Sequence, residues 1–143
     1  MYNYTKTGNW TLKVEIKYDG TGNPSIPSRR VGWGIGEWGN FSIASEADRY
    51  RLTIGSRIKN DNMDKYDPFV IHHNGAYFST EEEGRDNDGD EANCARDRKG
   101  SWWFSACKSE ANHCLNCRGD LIWYDVSNWQ MPSISRMWMK RTG

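Results

Sequence analysis

The sequence is short of the features that mark several large classes of protein. Nothing approaches a run of 18 apolar residues, and mean hydropathy is low, so a membrane-spanning helix and membrane insertion are excluded. No charge of one sign prevails: 19 Lys and Arg balance 19 Asp and Glu. The basic residues are scattered (Arg29–Arg30, Arg96 to Lys99, Arg136 to Arg141). Such a surface has no field that would gather nucleic acid. Repeats and low-complexity tracts are absent. The opening MYNYTKTGNW lacks the apolar segment of a secretory leader. The expectation is that a leader has been removed, or that the chain is a piece of a longer secreted protein.

Catalytic signatures are missing too. His72, His73 and His113 are the only histidines. None stands in a serine nucleophile-elbow context, and no H-E-x-x-H pattern occurs. GWGIGEWG loosely matches a phosphate-loop spacing, but no helical pattern follows it. The expectation is a protein that is not an enzyme.

What is present is aromatic. Eight Trp and seven Tyr in 143 residues predict a core rich in rings, which bring much area per residue. Trp102, Trp103, Trp123, Tyr124 and Trp129 crowd one half of the chain. Most are expected in the core. The length fits one domain.

Strands outnumber helices in the pattern. WTLKVEIKY at 10–18 alternates apolar and polar residues, as a half-buried strand does. VGWGIGEWGNFSI reads as a second strand region, with glycines that let Trp33 and Trp38 pack. SEADRY at 45–50 suggests a short helix capped by Ser45. YRLTIG at 50–55 reads as a strand, and SRIKNDNMDKYD at 56–67 as irregular chain. FVIHHNGAYFST at 69–80 predicts a hairpin turning at Asn74–Gly75. A last strand is expected over 135–140. Regular structure is sparse, and long loops of the kind that carry function or are pinned by metal and disulfides join it.

The most informative stretch is DNDGDEANCARDRKGSWWFSAC, residues 86–107. Asp86, Asp88 and Asp90 alternate with Asn and Gly, a pattern suited to a tight loop that wraps a hard cation in oxygens. An EF-hand does not fit. Its sixth position would be Glu91 rather than glycine, its twelfth Asp97 rather than glutamate, and Cys94 would fall inside the loop. Cys94, Cys107, Cys114 and Cys117 are an even set gathered in one third of the chain. This favours disulfides and an oxidising compartment, with three pairings possible. A zinc ribbon would bring two close pairs, and only Cys114–Cys117 is close.

In chain order, YRLTIG, HHNGAYFST, RDNDGDEANCA, GSWWFSAC, LIW and MWMK resemble the fibrinogen-related domain. Its members include fibrinogen C-terminal domains, ficolins, tenascins, angiopoietins and invertebrate lectins. The resemblance runs from about Trp10 to the end and is strongest from His73 to Cys107. It implies an α+β domain in which a twisted antiparallel sheet, over about 1–80, precedes a loop-rich lobe, over about 81–143, that holds calcium and ligand and ends in the C-terminal strand. The family's upstream segment has no counterpart here. The resemblance implies Ca2+ held by the carboxylates of Asp86 and Asp88 and the backbone oxygens of Asp90 and Ala92. It also implies a Cys94–Cys107 disulfide and a cis peptide at Ala106–Cys107. A short Cys114–Cys117 disulfide is the expected fate of the other pair. The implied ligand pocket takes in Asp97, Arg98, Ala106, Cys107, Lys108 and Trp129. Arg98 and Lys108 replace a customary aromatic and histidine, which favours anionic groups over acetyl groups alone. The expected function is a secreted, calcium-dependent innate-immune lectin. Its ligands would be microbial glycans, acetylated or anionic sugars, bound with avidity from a homo-oligomer. The alternative is an adhesive or signalling module with protein ligands.

Overall fold

The structure is a computed structural model that describes residues 1–20, 30–82, 93–105, 113–115, 117, 123–125, 128–130 and 132–143. An initial helical turn, α1 (Tyr2–Thr5), leads into β1 (Trp10–Asp19). β2 (Val31–Trp38), β3 (Ser42–Ile43), β4 (Leu52–Thr53) and β5 (Arg57–Asp61) follow. Next come helices α2 (Pro68–His73) and α3 (Cys94–Asp97), the small hairpin β6 (Trp123–Asp125) and β7 (Asn128–Gln130), and finally β8 (Ile134–Arg141). The main sheet is antiparallel in the order β5-β2-β1-β8. The last strand thus returns beside the first.

The alternation in β1 carries the sheet. Leu12, Val14, Ile16 and Tyr18 are buried on one face, each worth about 1.5–3 kcal/mol for the aliphatic residues, while Lys13, Glu15 and Lys17 line the other. Facing them across β2 are Trp38, Gly36, Gly34 and Gly32. The glycines make room for rings. A methyl group at Gly34 would lie 2.7 Å from the Tyr18 ring, and one at Gly36 would collide with the Trp38 indole. Trp38 is therefore fully buried. Trp33 differs from expectation: its register opposite Lys17 puts it on the outer face, 38% exposed, beneath the Arg136 guanidinium at 5.0 Å.

Two further expectations are corrected. Residues 57–61 form a strand rather than irregular chain. Among the described residues β5 pairs on one side only, and it is almost wholly exposed, so burial imposes no alternation on its sequence. Residues 69–73 belong to a helix rather than a hairpin strand. Pro68 opens α2, and the Asp67 side chain accepts the Val70 N–H, the start signals of a helix. Phe69 and His73, one turn apart, are buried. Asn74–Gly75, read as a hairpin turn, ends that helix, and Gly75 takes the positive φ of 83°. The 45–50 segment does turn once, as a 3-10 helix over Glu46–Asp48, but Ser45 makes no side-chain cap bond.

Asp67 also binds sheet to helix. Its second carboxylate oxygen accepts the Trp38 indole N–H at 2.8 Å. Trp38, Phe69 and Trp123 then meet, with ring centroids 5.1–6.1 Å apart. This aromatic cluster is the junction between the sheet and the second half of the chain.

Candidate functional site

Asn93 governs the entrance to the second half. Its Oδ1 accepts the Arg96 N–H at 2.9 Å and so caps α3, while its Nδ2 donates to the Glu81 carbonyl at 3.3 Å. Glu81 and Asn93 flank the acidic stretch, and one side chain therefore ties its two ends together. Asp86, Asp88, Asp90 and Ala92 lie outside the described residues, between these tied ends. Among the described residues, no group of three or more His, Cys, Asp or Glu is placed to hold a metal.

α3 itself is anchored by burial. Cys94 and Ala95 have no exposed surface, and Cys94 is disulfide-bonded. Cys114 and Cys117 are joined to each other, and Cys107 lies outside the described residues. So do Ala106 and Lys108, and with them the expected cis peptide. Asp97 ends α3 exposed, and Arg98 follows it half-buried. The chain then doubles back: Gly100 N–H bonds to Ala95, and Gly100 bridges to Cys117. The cysteine pair is thereby laid against the turn after α3. Trp129 sits in β7 opposite Tyr124. Of the six expected pocket residues, the described structure places Asp97 and Arg98 side by side at the surface.

The Trp102–Trp103 pair is structural. Both rings are nearly fully buried, and Trp102 bridges to Ser79 through N–H···O bonds of 2.9 and 3.2 Å. The Trp103 indole donates to the Tyr50 carbonyl at 2.9 Å. An open apolar groove of about 520 Å³ runs beside them, between Tyr2, Ile43, Tyr50, Phe78, Trp103 and Met137. It does not include the Asp97–Arg98 surface, and no pattern in the sequence points to it.

A buried histidine pair was also missed. His73 Nδ1 lies 2.7 Å from the Trp103 carbonyl, so that nitrogen carries the proton, and Nε2 accepts the His113 backbone N–H at 3.0 Å. The His113 ring meets Trp123 at 4.2 Å and Phe69 at 5.7 Å. Both imidazoles are fully buried. They lock α2, the tryptophan segment and the cysteine loop together, and offer no access to a substrate. His72, on the outer side of α2, is held below its ordinary value by partial burial.

Known proteins give the frame for this geometry. The family model for the C-terminal globular domain of fibrinogen beta and gamma chains matches residues 4–142. Ryncolin-4 of Cerberus rynchops is 37% identical over 93 residues, covering 64% of this chain and 25% of that protein. The fibrinogen gamma chain of Mus musculus is 35% identical over 108 residues, 68% of this chain and 22% of the other. The chain thus spans about a quarter of the curated relatives it matches. In fold it is similar to the fibrinogen-like globe domain of human ANGPTL6. The TM-score is 0.68 at 22% identity, over 99% of this chain and 61% of that one. A lamprey fibrin D-dimer, complexed with the peptide Gly-His-Arg-Pro-amide, matches with a TM-score of 0.58 at 19% identity, over 92% of this chain and 47% of that one.

Proposed function

The chain belongs to the fibrinogen C-terminal globular domain family, and on that premise we propose that it is a secreted, calcium-dependent recognition domain, an innate-immune lectin for microbial surface carbohydrates. The observation that carries this is the pair of hydrogen bonds made by the Asn93 side chain. It closes the acidic loop at Glu81 and starts the helix that ends in Asp97 and Arg98. Order in the loop is therefore mechanically continuous with the surface beside it. Asp86 and Asp88, through carboxylates, and Asp90 and Ala92, through backbone oxygens, are the residues that would hold calcium. When bound, the ion neutralises converging carboxylates and lowers the ordering cost that ligand binding would otherwise carry. Arg98 and Lys108 supply cationic donors for anionic or acetylated sugars, and Trp129 an aromatic wall. Ala106 and Cys107 complete that pocket, with Cys94 and Cys107 paired beneath it. Two disulfides fit an oxidising compartment, and no described helix is long and apolar enough to cross a membrane.

The test is calorimetry with microbial polysaccharides, with and without calcium. Binding that calcium strengthens is expected; no binding in either condition defeats the proposal. One observation favours a second reading, an adhesive or signalling module: the fibrin neighbour is held in complex with a short peptide. A glycan array run beside a peptide-binding assay separates the two.

A further inference from the structure

The main sheet ends on two unlike edges. β5 has five residues, carries Lys59 and Asp61, and meets β2 through a register shift at Glu37/Trp38. Short length, charge and irregular pairing are how proteins keep an edge from recruiting another strand. β8 is charged as well, through Arg136, Lys140 and Arg141, but it lacks the other two guards. Its eight residues pair with β1 in unbroken register, contain no proline, and among the described residues have a strand on one side only.

The backbone direction along β8 follows from the ladder. Trp10 accepts a bond from Phe41 on the β2 side, and Asn9 accepts one from Thr142 on the β8 side. Antiparallel bonding alternates, so odd-numbered residues of β1 address β8. Their partners are Ile134, Arg136, Trp138 and Lys140. Ser135, Met137, Met139 and Arg141 therefore turn their N–H and C=O groups to the open edge.

We propose that this edge pairs antiparallel with the same edge of a second copy, about a two-fold axis through Met137. The sequence is self-complementary in that register. Met137 meets its counterpart, Ser135 meets Met139, Ile134 meets Lys140, and Arg136 meets Trp138 of the second copy. The last pair sits at a non-hydrogen-bonded position, where side chains lie closest, and joins a guanidinium to an indole. Trp138 is 55% exposed, yet its indole is already fixed by Glu15 at 3.1 Å, so little freedom is lost on contact. Moving the axis to Trp138 would set Arg136 against Lys140, two cations. On the core side, Met137 borders the apolar groove with Tyr2, Tyr50 and Trp103, which gives the joint an apolar floor. The contact is isologous and closes at two copies. It needs neither calcium nor sugar.

Sedimentation equilibrium and residue-resolved hydrogen exchange test the pairing. A dimer is expected at micromolar protein, with the Ser135, Met137 and Met139 amides exchanging as slowly as those of Arg136 and Trp138. Met137→Pro removes one outward N–H and no bond to β1, so it should raise the dissociation constant more than about tenfold with an unchanged circular dichroism spectrum. A monomer at every concentration, or a dimer whose odd-numbered β8 amides exchange freely, overturns the proposal. The exchange pattern of the unaltered protein decides the matter even where the proline variant fails to fold.

Discussion

His73 accepts the backbone N–H of His113 on its Nε2 at 3.0 Å, across 40 residues of sequence and wholly inside the core. One side chain thereby satisfies two distant main-chain groups, since its other nitrogen serves the Trp103 carbonyl. Replacing His73 by Leu keeps the volume roughly and strands both groups. A buried polar group left without its bond costs about 1–3 kcal/mol. We therefore expect His73→Leu to lower unfolding free energy by about 2–5 kcal/mol in urea. A loss below about 1 kcal/mol would show that the pair is ornamental.

The neighbouring His72 gives a pH signature. Burial disfavours its charged form, so its folded value lies below the ordinary 6.5. The unfolded chain then binds the proton more readily. Its contribution to stability is complete above 6.5 and is lost as pH falls from there through the folded value. His72→Gln should flatten the stability–pH curve over that window. The measurement is urea denaturation at stepped pH, and an unchanged slope would count against the assignment.

Asp67 serves the Val70 N–H with one oxygen and the Trp38 indole with the other. Asp67→Ala removes a helix cap, about 1 kcal/mol, and leaves a buried indole donor unbonded, about 1–3 kcal/mol. Asp67→Asn retains an acceptor for one of the two and should lose less. Thermal unfolding should rank the native protein above Asn and Asn above Ala; equal melting of Asn and Ala would mean the indole bond carries nothing.

Gly36 and Gly39 make a matched pair. A methyl at Gly36 collides with the Trp38 ring, while one at Gly39 finds only Ile58 at 4.0 Å. Overpacking costs about 1–3 kcal/mol, so Gly36→Ala should melt well below the native protein and Gly39→Ala close to it. Equal melting temperatures would mean that the ring shifts without cost.

The reach of the sequence can be judged from these residues. β1 and β8 were legible because one face of each is turned to the core, which writes period two into Leu12, Val14 and Ile16 and into Met137 and Met139. β5 wrote nothing, because it is an exposed edge. The 69–80 segment carried two messages, a turn signal at Asn74–Gly75 and a helix start at Asp67–Pro68, and the short-range hairpin pattern outweighed the cap. The histidine pair left no local trace, since its partners meet only once α2 and the cysteine loop have docked. The aspartates at 86, 88 and 90 were legible as a pattern. The structure adds what the pattern lacks, a side chain that joins the two ends of their loop.

Asn93 performs two jobs with two atoms, and they can be separated. Serine at 93 keeps an oxygen for the Arg96 N–H, and it is an equally good cap. It is too short to reach the Glu81 carbonyl. Alanine loses both. Asn93→Ser should therefore melt above Asn93→Ala, which gives up the cap as well, a further loss of about 0.5–2 kcal/mol. On the proposed calcium site, affinity for the ion should fall in both variants alike, because both free the base of the acidic stretch. A hydrogen bond of about 0.5–1.5 kcal/mol corresponds to a loss of roughly 2- to 12-fold in titration calorimetry. If Asn93→Ser binds calcium as tightly as the native chain, the closed base is not what organises the loop. The link from loop order to the Asp97–Arg98 surface would then have to run through Cys94 alone.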